Sequence, residues 1–203
     1  MVQGNIPNKL FQGLGDLMKY KCSIIKNEIR DIITELEQEH DVKLATTQKI
    51  LLSTRGPITT VLDVLYGEVR LFMLDQHTEK ADKDNAELLG IKEGDEIIFR
   101  NAIVFKNRRP LVYVLSYIPT ARCTGAILDD LLSGNVTTGK IIDEHNVETV
   151  RKINKIDIEK ATPLLTEIFK TTEDMLTREY TMAHRKKIVI WTKELYPISY
   201  FRE

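Results

Sequence analysis

The apolar positions of this chain change period along its length. Between residues 24 and 36 they fall at Ile24, Ile25, Ile29, Ile32, Ile33 and Leu36, one face of a helix, with Lys26, Arg30, Asp31, Glu35 and Glu37 opposite. This predicts a long amphipathic helix over roughly residues 20–39, packed onto the core of its own domain. HDVKLATTQKILLST leads to a second helix and GPITTVLDVLYG to a third, with Gly56-Pro57 as breaker and start signal. GEVRLFMLDQHTEKA then reads as an apolar-rich strand, and LLGIKEGDEIIFRNAIVFKNRRPLVYVLSYIP as a hairpin. The hairpin strands cover about 96–105 and 110–118, joined by Lys-Asn-Arg-Arg and stopped by Pro119.

TGAILDDLLSG and TTGKIIDEH read as two short helices around the turn Ser133-Gly134-Asn135. VETVRKINKIDIE is a strand, and TPLLTEIFK a helix with Thr162 as N-cap and Pro163 in its first position. Two strands close the chain, about 174–184 and 187–196, turning at His184-Arg185-Lys186. There are no internal repeats or low-complexity tracts. Strands grouped as hairpins, with helices before and between them, predict an α+β protein with one mostly antiparallel sheet.

Two charges break this pattern. In KKIVIWTKELYPISYF, alternation puts Ile188, Ile190, Thr192 and Glu194 on one face and Val189, Trp191, Lys193 and Leu195 on the other. Both faces are largely apolar, so the strand is covered on both sides. Glu194 then either reaches water at the strand end before Pro197, or is a buried carboxylate that needs a partner or a task. In EIIFRNAIVF, Arg100 shares a face with Ile98, Ala102 and Val104, in mid-strand and away from water. Its planar fork suits a carboxylate. Arg100 and Glu194 either neutralise each other as an internal salt bridge or face a common cavity and hold two ends of a small polar ligand.

Composition adds limits more than leads. A chain of 203 residues is long enough for one cored domain, or one domain plus an appendage. A formal net charge of −1 calls for no nucleic-acid or membrane partner. Cys22 and Cys123 form neither a CxxC pair nor a disulfide framework, which fits a reducing cytoplasm. His40, His77, His145 and His184 show no metal-ligand spacing, and no glycine loop is built to cradle phosphate. The start of the chain lacks the apolar core of a signal peptide, and no apolar run approaches the roughly 18 residues of a membrane span.

The order GPITTVL, EIIFRNAIVF, RPLVYVLSYIP, LLSGNVTTGKII and IVIWTKELYPISYF resembles the chorismate pyruvate-lyases over roughly residues 43–203. It is more similar to the archaeal and mycobacterial-type branch than to the enterobacterial ubiquinone-pathway enzyme. The helical pattern before residue 43 predicts an amphipathic extension over residues 1–42 packed on the core, and the resemblance implies a six-stranded antiparallel sheet with helices over an internal cavity in residues 43–203. It implies conversion of chorismate to 4-hydroxybenzoate and pyruvate without a cofactor or metal, in the cytoplasm, by a monomer or homodimer with no nucleic-acid or membrane partner. The family's arginine falls on Arg100. Its glutamate, in a terminal T-E-L-x-x-P strand, falls on Glu194, here in TKELYP with Lys193 between threonine and glutamate. Ligand-touching backbone groups of two helical flaps fall near Ile58 and Thr138. The glutamate would hydrogen-bond the ring hydroxyl, and its apolar neighbours would favour the neutral acid while the site is empty. Arg55, Lys140 and Arg151 beside the flaps are either solvated surface charges or holders of the second, enolpyruvyl carboxylate. The ligand-sensing UTRA domains of transcription regulators share this fold, and the hairpin serves one of those equally well. A non-catalytic effector-binding protein is therefore the alternative.

Overall fold

The computed structural model describes residues 28–123, 125–134 and 137–203. The start of the first predicted helix, Cys22 and Asn135 lie outside them. The described residues begin with α1 (Glu28–Glu39), α2 (Thr46–Ser53) and α3 (Ile58–Tyr66), followed by β1 (Arg70–Lys80) and α4 (Lys83–Leu89). The hairpin β2 (Glu96–Lys106) and β3 (Arg109–Pro119) leads to α5 (Gly125–Ser133) and α6 (Thr138–Glu144). Then come β4 (Val150–Glu159), α7 (Pro163–Phe169), β5 (Met175–His184) and β6 (Lys187–Pro197). All six strands form one antiparallel sheet in the order β1-β2-β3-β6-β5-β4. The fold is α+β, as the hairpin pattern predicts.

Local chemistry explains the punctuation. Both sharp hairpins use two-residue turns with positive φ at each central position, Asn107 (48°) and Arg108 (68°), then Arg185 (47°) and Lys186 (68°). Such turns match the right-handed twist of the flanking strands. Thr162 caps α7 by accepting from the Leu165 N–H at 3.3 Å. The short α4 was not anticipated from the sequence, although its signals are present. Asp82 accepts from the Asn85 N–H at 2.8 Å, and Gly90 ends the helix at φ 61°.

The sheet is covered on both faces. On one, α4 and α7 bury Leu89, Leu165 and Phe169 against Ile97, Trp191, Tyr113 and Leu195. The other face carries two apolar clusters at opposite ends of its strands. At one end Val104, Val112, Leu176 and Tyr196 meet α1, α2 and α3. At the other Ile98, Ile118, Met182 and Ile190 meet α5 and α6. Between these ends the same rows turn polar, and there the site lies.

Candidate functional site

The register builds the site. Arg100 on β2 pairs with Ser116 on β3, Ser116 with Thr192 on β6, and Thr192 with Tyr180 on β5. One polar row therefore crosses four strands, with the Ser116 and Thr192 hydroxyls 3.0 Å apart. The next row brings Val114 to Glu194 and Glu194 to Arg178. These rows floor a cavity of about 60 Å³. Arg100, Glu194, Ile58 and Thr138 all line it, so the four residues singled out by the resemblance come together in space.

Arg100 is 3% exposed, and its Nη1 donates to Thr138 Oγ1 at 3.0 Å. Burial pulls its pKa down to about 10, so it keeps its charge at neutral pH. Pro57, Ile58 and Thr59 put the start of α3 at the rim, where the first N–H groups of a helix have no intrahelical acceptor. The start of α6 closes the same rim. A side chain at Gly139 would begin 3.5 Å from Pro57 Cγ and 3.9 Å from Arg151 Nη2.

Glu194 is 2% exposed, which removes the reading that it reaches water at a fraying strand end. The alternative Arg100–Glu194 salt bridge is also corrected. Glu194 pairs with Arg178, whose Nε lies 2.5 Å from Oε2, while the Tyr180 hydroxyl donates to Oε1 at 3.2 Å. The neighbours of Glu194 are therefore not only apolar. The premise of apolar neighbours behind the expected neutral acid is thus replaced by an arginine partner and a tyrosine hydroxyl.

Arg178 is the residue that sequence reasoning missed. It is fully buried, and its Nη1 also donates to the Leu51 and Thr54 carbonyls at 2.6 and 2.9 Å. It thus ties the carboxylate to the end of α2, directly before the α3 rim. Burial lowers its pKa, but the attraction of Glu194 outweighs this and the net shift is upward. The signal was available: Leu176, Arg178, Tyr180 and Met182 form the same kind of charged intruder in an apolar row as at Arg100. Burial, opposed in part by Arg151 and Arg178, likewise holds the Tyr180 hydroxyl protonated well above its ordinary range.

The three flanking cations separate clearly. Arg55 is exposed, and Lys140 is exposed beside Glu144 at 3.7 Å. Arg151 is 9% exposed and lines the cavity, with its guanidinium 4.6 Å from the centre of the Tyr180 ring.

Residues 52–202 match the family described as Chorismate pyruvate-lyase Rv2949c-like. The chain belongs to this family. The chain is also 30% identical over 162 residues to a Methanocaldococcus jannaschii protein described as "Putative lyase MJ0807", a match that spans 76% of this chain and 80% of the relative. Membership makes the protein a lyase relative, and the fold has a second set of neighbours. The crystal structure of PhnF from Mycobacterium smegmatis superimposes with a TM-score of 0.60 at 13% identity, over 92% of this chain and 93% of that one. The effector domain of the same regulator gives 0.59 at 14% identity, over 70% and 88%. A GntR-family transcriptional regulator from Bacillus cereus gives 0.56 at 14%, over 66% and 94%. At these identities the likeness concerns the fold alone, that of UTRA domains. Among the described residues no helix is long and apolar enough to cross a membrane.

Proposed function

We infer that this protein is a chorismate pyruvate-lyase, converting chorismate to 4-hydroxybenzoate and pyruvate without a cofactor, in the cytoplasm. The observation that carries this reading is the convergence of Arg100 and Glu194, from separate strands, on one cavity rimmed by the starts of α3 and α6. A lyase-family chain with a buried fork-shaped cation and a buried acceptor at one site suits a ring that bears a carboxylate at one end and a hydroxyl at the other.

Chemically, the reaction asks for orientation more than for a strong nucleophile. The ether C–O bond breaks, the adjacent ring hydrogen leaves as a proton, and the ring becomes aromatic. The departing enolpyruvate takes up a proton at its methylene carbon and becomes pyruvate, so no proton or electron is gained or lost overall. In this reading Arg100 grips the ring carboxylate, with Thr138 Oγ1 fixing the guanidinium. Glu194, itself fixed by Arg178 and Tyr180, accepts the ring hydroxyl. N–H groups at the start of α3 add donors to the carboxylate. Holding the substrate in this geometry, away from water, supplies the acceleration. Closure of the rim makes product release the slow step.

The likeness to regulator effector domains favours a second reading, a chain that binds an aromatic or sugar acid and leaves it unchanged. Incubation with chorismate separates the two. The lyase releases pyruvate and 4-hydroxybenzoate in equal amounts, and does so after exhaustive treatment with EDTA. Binding without turnover by a folded protein establishes the effector reading instead.

A further inference from the structure

Arg151 is the buried charge that the two-residue reading leaves without a task. Among the described residues it has no carboxylate partner, and its Nε and Nη1 have no hydrogen-bond acceptor. Its Nη2 reaches only the thioether of Met182, 3.6 Å away and a weak acceptor. The Tyr180 ring beneath it offers a cation–π contact, which returns less than desolvating a guanidinium costs. Folded chains do not bury such a group idly, and Arg178 on the adjacent strand shows what a compensated one looks like.

Its position gives the task. Arg100 enters the cavity from β2 and Arg151 from β4, on opposite sides of the strands that carry Ser116, Thr192 and Tyr180. Their backbones stand four strand spacings apart, roughly 19 Å, so two long side chains reaching inward leave a gap on the scale of one substituted ring. Both meet the start of α6, Arg100 through Thr138 and Arg151 beside Gly139.

We propose that Arg151 binds a second carboxylate, so that the cavity selects ring compounds carrying two carboxylates over those carrying one. The assignment rests on the lyase reading of this site and deepens it: Arg100 takes the ring carboxylate and Arg151 the enolpyruvyl carboxylate. It makes substrate binding stronger than product binding by one charged contact, and cleavage of the ether severs that contact from the ring.

Calorimetric titration of the full chain with two inert probes tests this. One probe is 4-hydroxybenzoate. The other is 3-(carboxymethoxy)-4-hydroxybenzoate, which adds a carboxylate on an ether arm beside the hydroxyl. The wild type binds the dicarboxylate more tightly. R151Q loses about 10- to 100-fold in affinity for it while holding 4-hydroxybenzoate within about twofold, and R151K recovers part of the loss. R151K, which keeps the charge and most of the volume, also serves if R151Q does not fold. A wild-type chain that gains nothing from the second carboxylate overturns the proposal, as does an R151Q or R151K variant that loses both probes equally. Release of pyruvate from chorismate by the wild type is assayed in parallel. Its absence removes the lyase reading, while the probe titrations still decide the role of Arg151.

Discussion

Arg178 and Arg151 stand on adjacent strands, both buried and both against the Tyr180 ring, with guanidinium carbons 5.3 and 4.6 Å from its centre. The Arg178 side is closed chemistry. Its guanidinium donates to Glu194 and to two carbonyls at the end of α2, so its charge holds the scaffold together. The Arg151 side is open chemistry, a buried cation over an aromatic ring with no anion opposite. The difference teaches how to sort buried charges. A charge answered within the chain positions other groups, and a charge left unanswered beside a cavity waits for a ligand.

The sharpest way to break this comparison is to remove each cation. Arg178→Met strands Glu194 without its counter-ion and is expected to lose about 3–5 kcal/mol of stability, a fall in Tm on the order of 10 °C for a domain of this size. Adding Glu194→Leu to it recovers most of that loss. Arg151→Met is expected to leave Tm unchanged or raise it, because it removes a buried charge that nothing in the chain answers. Thermal unfolding of the three variants checks all of this, and equal losses at Arg178 and Arg151 would erase the distinction.

A milder cut separates scaffold from chemistry at Glu194. Glu194→Gln keeps an oxygen for Arg178 Nε and nearly the same volume. A loss of about 1–3 kcal/mol in stability is expected, with pyruvate release from chorismate reduced by about 100-fold or more per folded molecule. Unchanged turnover in a destabilised protein would put the glutamate wholly in the scaffold. On the ligand side, Arg100→Lys keeps the charge but not the fork, and is expected to weaken 4-hydroxybenzoate binding by about 1–3 kcal/mol with little change in Tm. Titration calorimetry with denaturation of the same samples reads both quantities.

The smallest effect lies at the surface, where water replaces the low-dielectric interior. His77 is exposed on β1 beside Asp75 and Glu79, and hydrogen bonds first to Asp75 and then to Glu79 raise its pKa. A raised histidine stabilises the fold fully below its unfolded value of about 6.5, and the contribution disappears as pH rises through the folded value. A slight fall in wild-type Tm between about pH 6 and 8, absent in His77→Gln and flattened by salt, is the expected result.

Much of this molecule was legible from local pattern. The helix-period and strand-period stretches, the two positive-φ hairpin turns and the Thr162 cap depend on neighbours a few residues away, and they appear where the sequence puts them. Alternation along β2 and β6 also marked Arg100 and Glu194 as intruders on apolar rows, because which residues share a face is a property of a single strand. The same test applied to β5 would have found Arg178.

What the sequence could not supply was the neighbour of each row. Strand order and register put Arg178, rather than Arg100, opposite Glu194, and they align Arg100, Ser116, Thr192 and Tyr180 across four strands. Arg151 shows the limit most clearly. On a lysine-bearing edge strand it reads as a solvated charge, and only the packing of Tyr180, Met182 and the start of α6 around it makes it a buried one. Periodicity fixes the direction of a side chain along its own element. Desolvation is set by what other elements place over it, and here that decided which charges belong to the fold and which to a ligand.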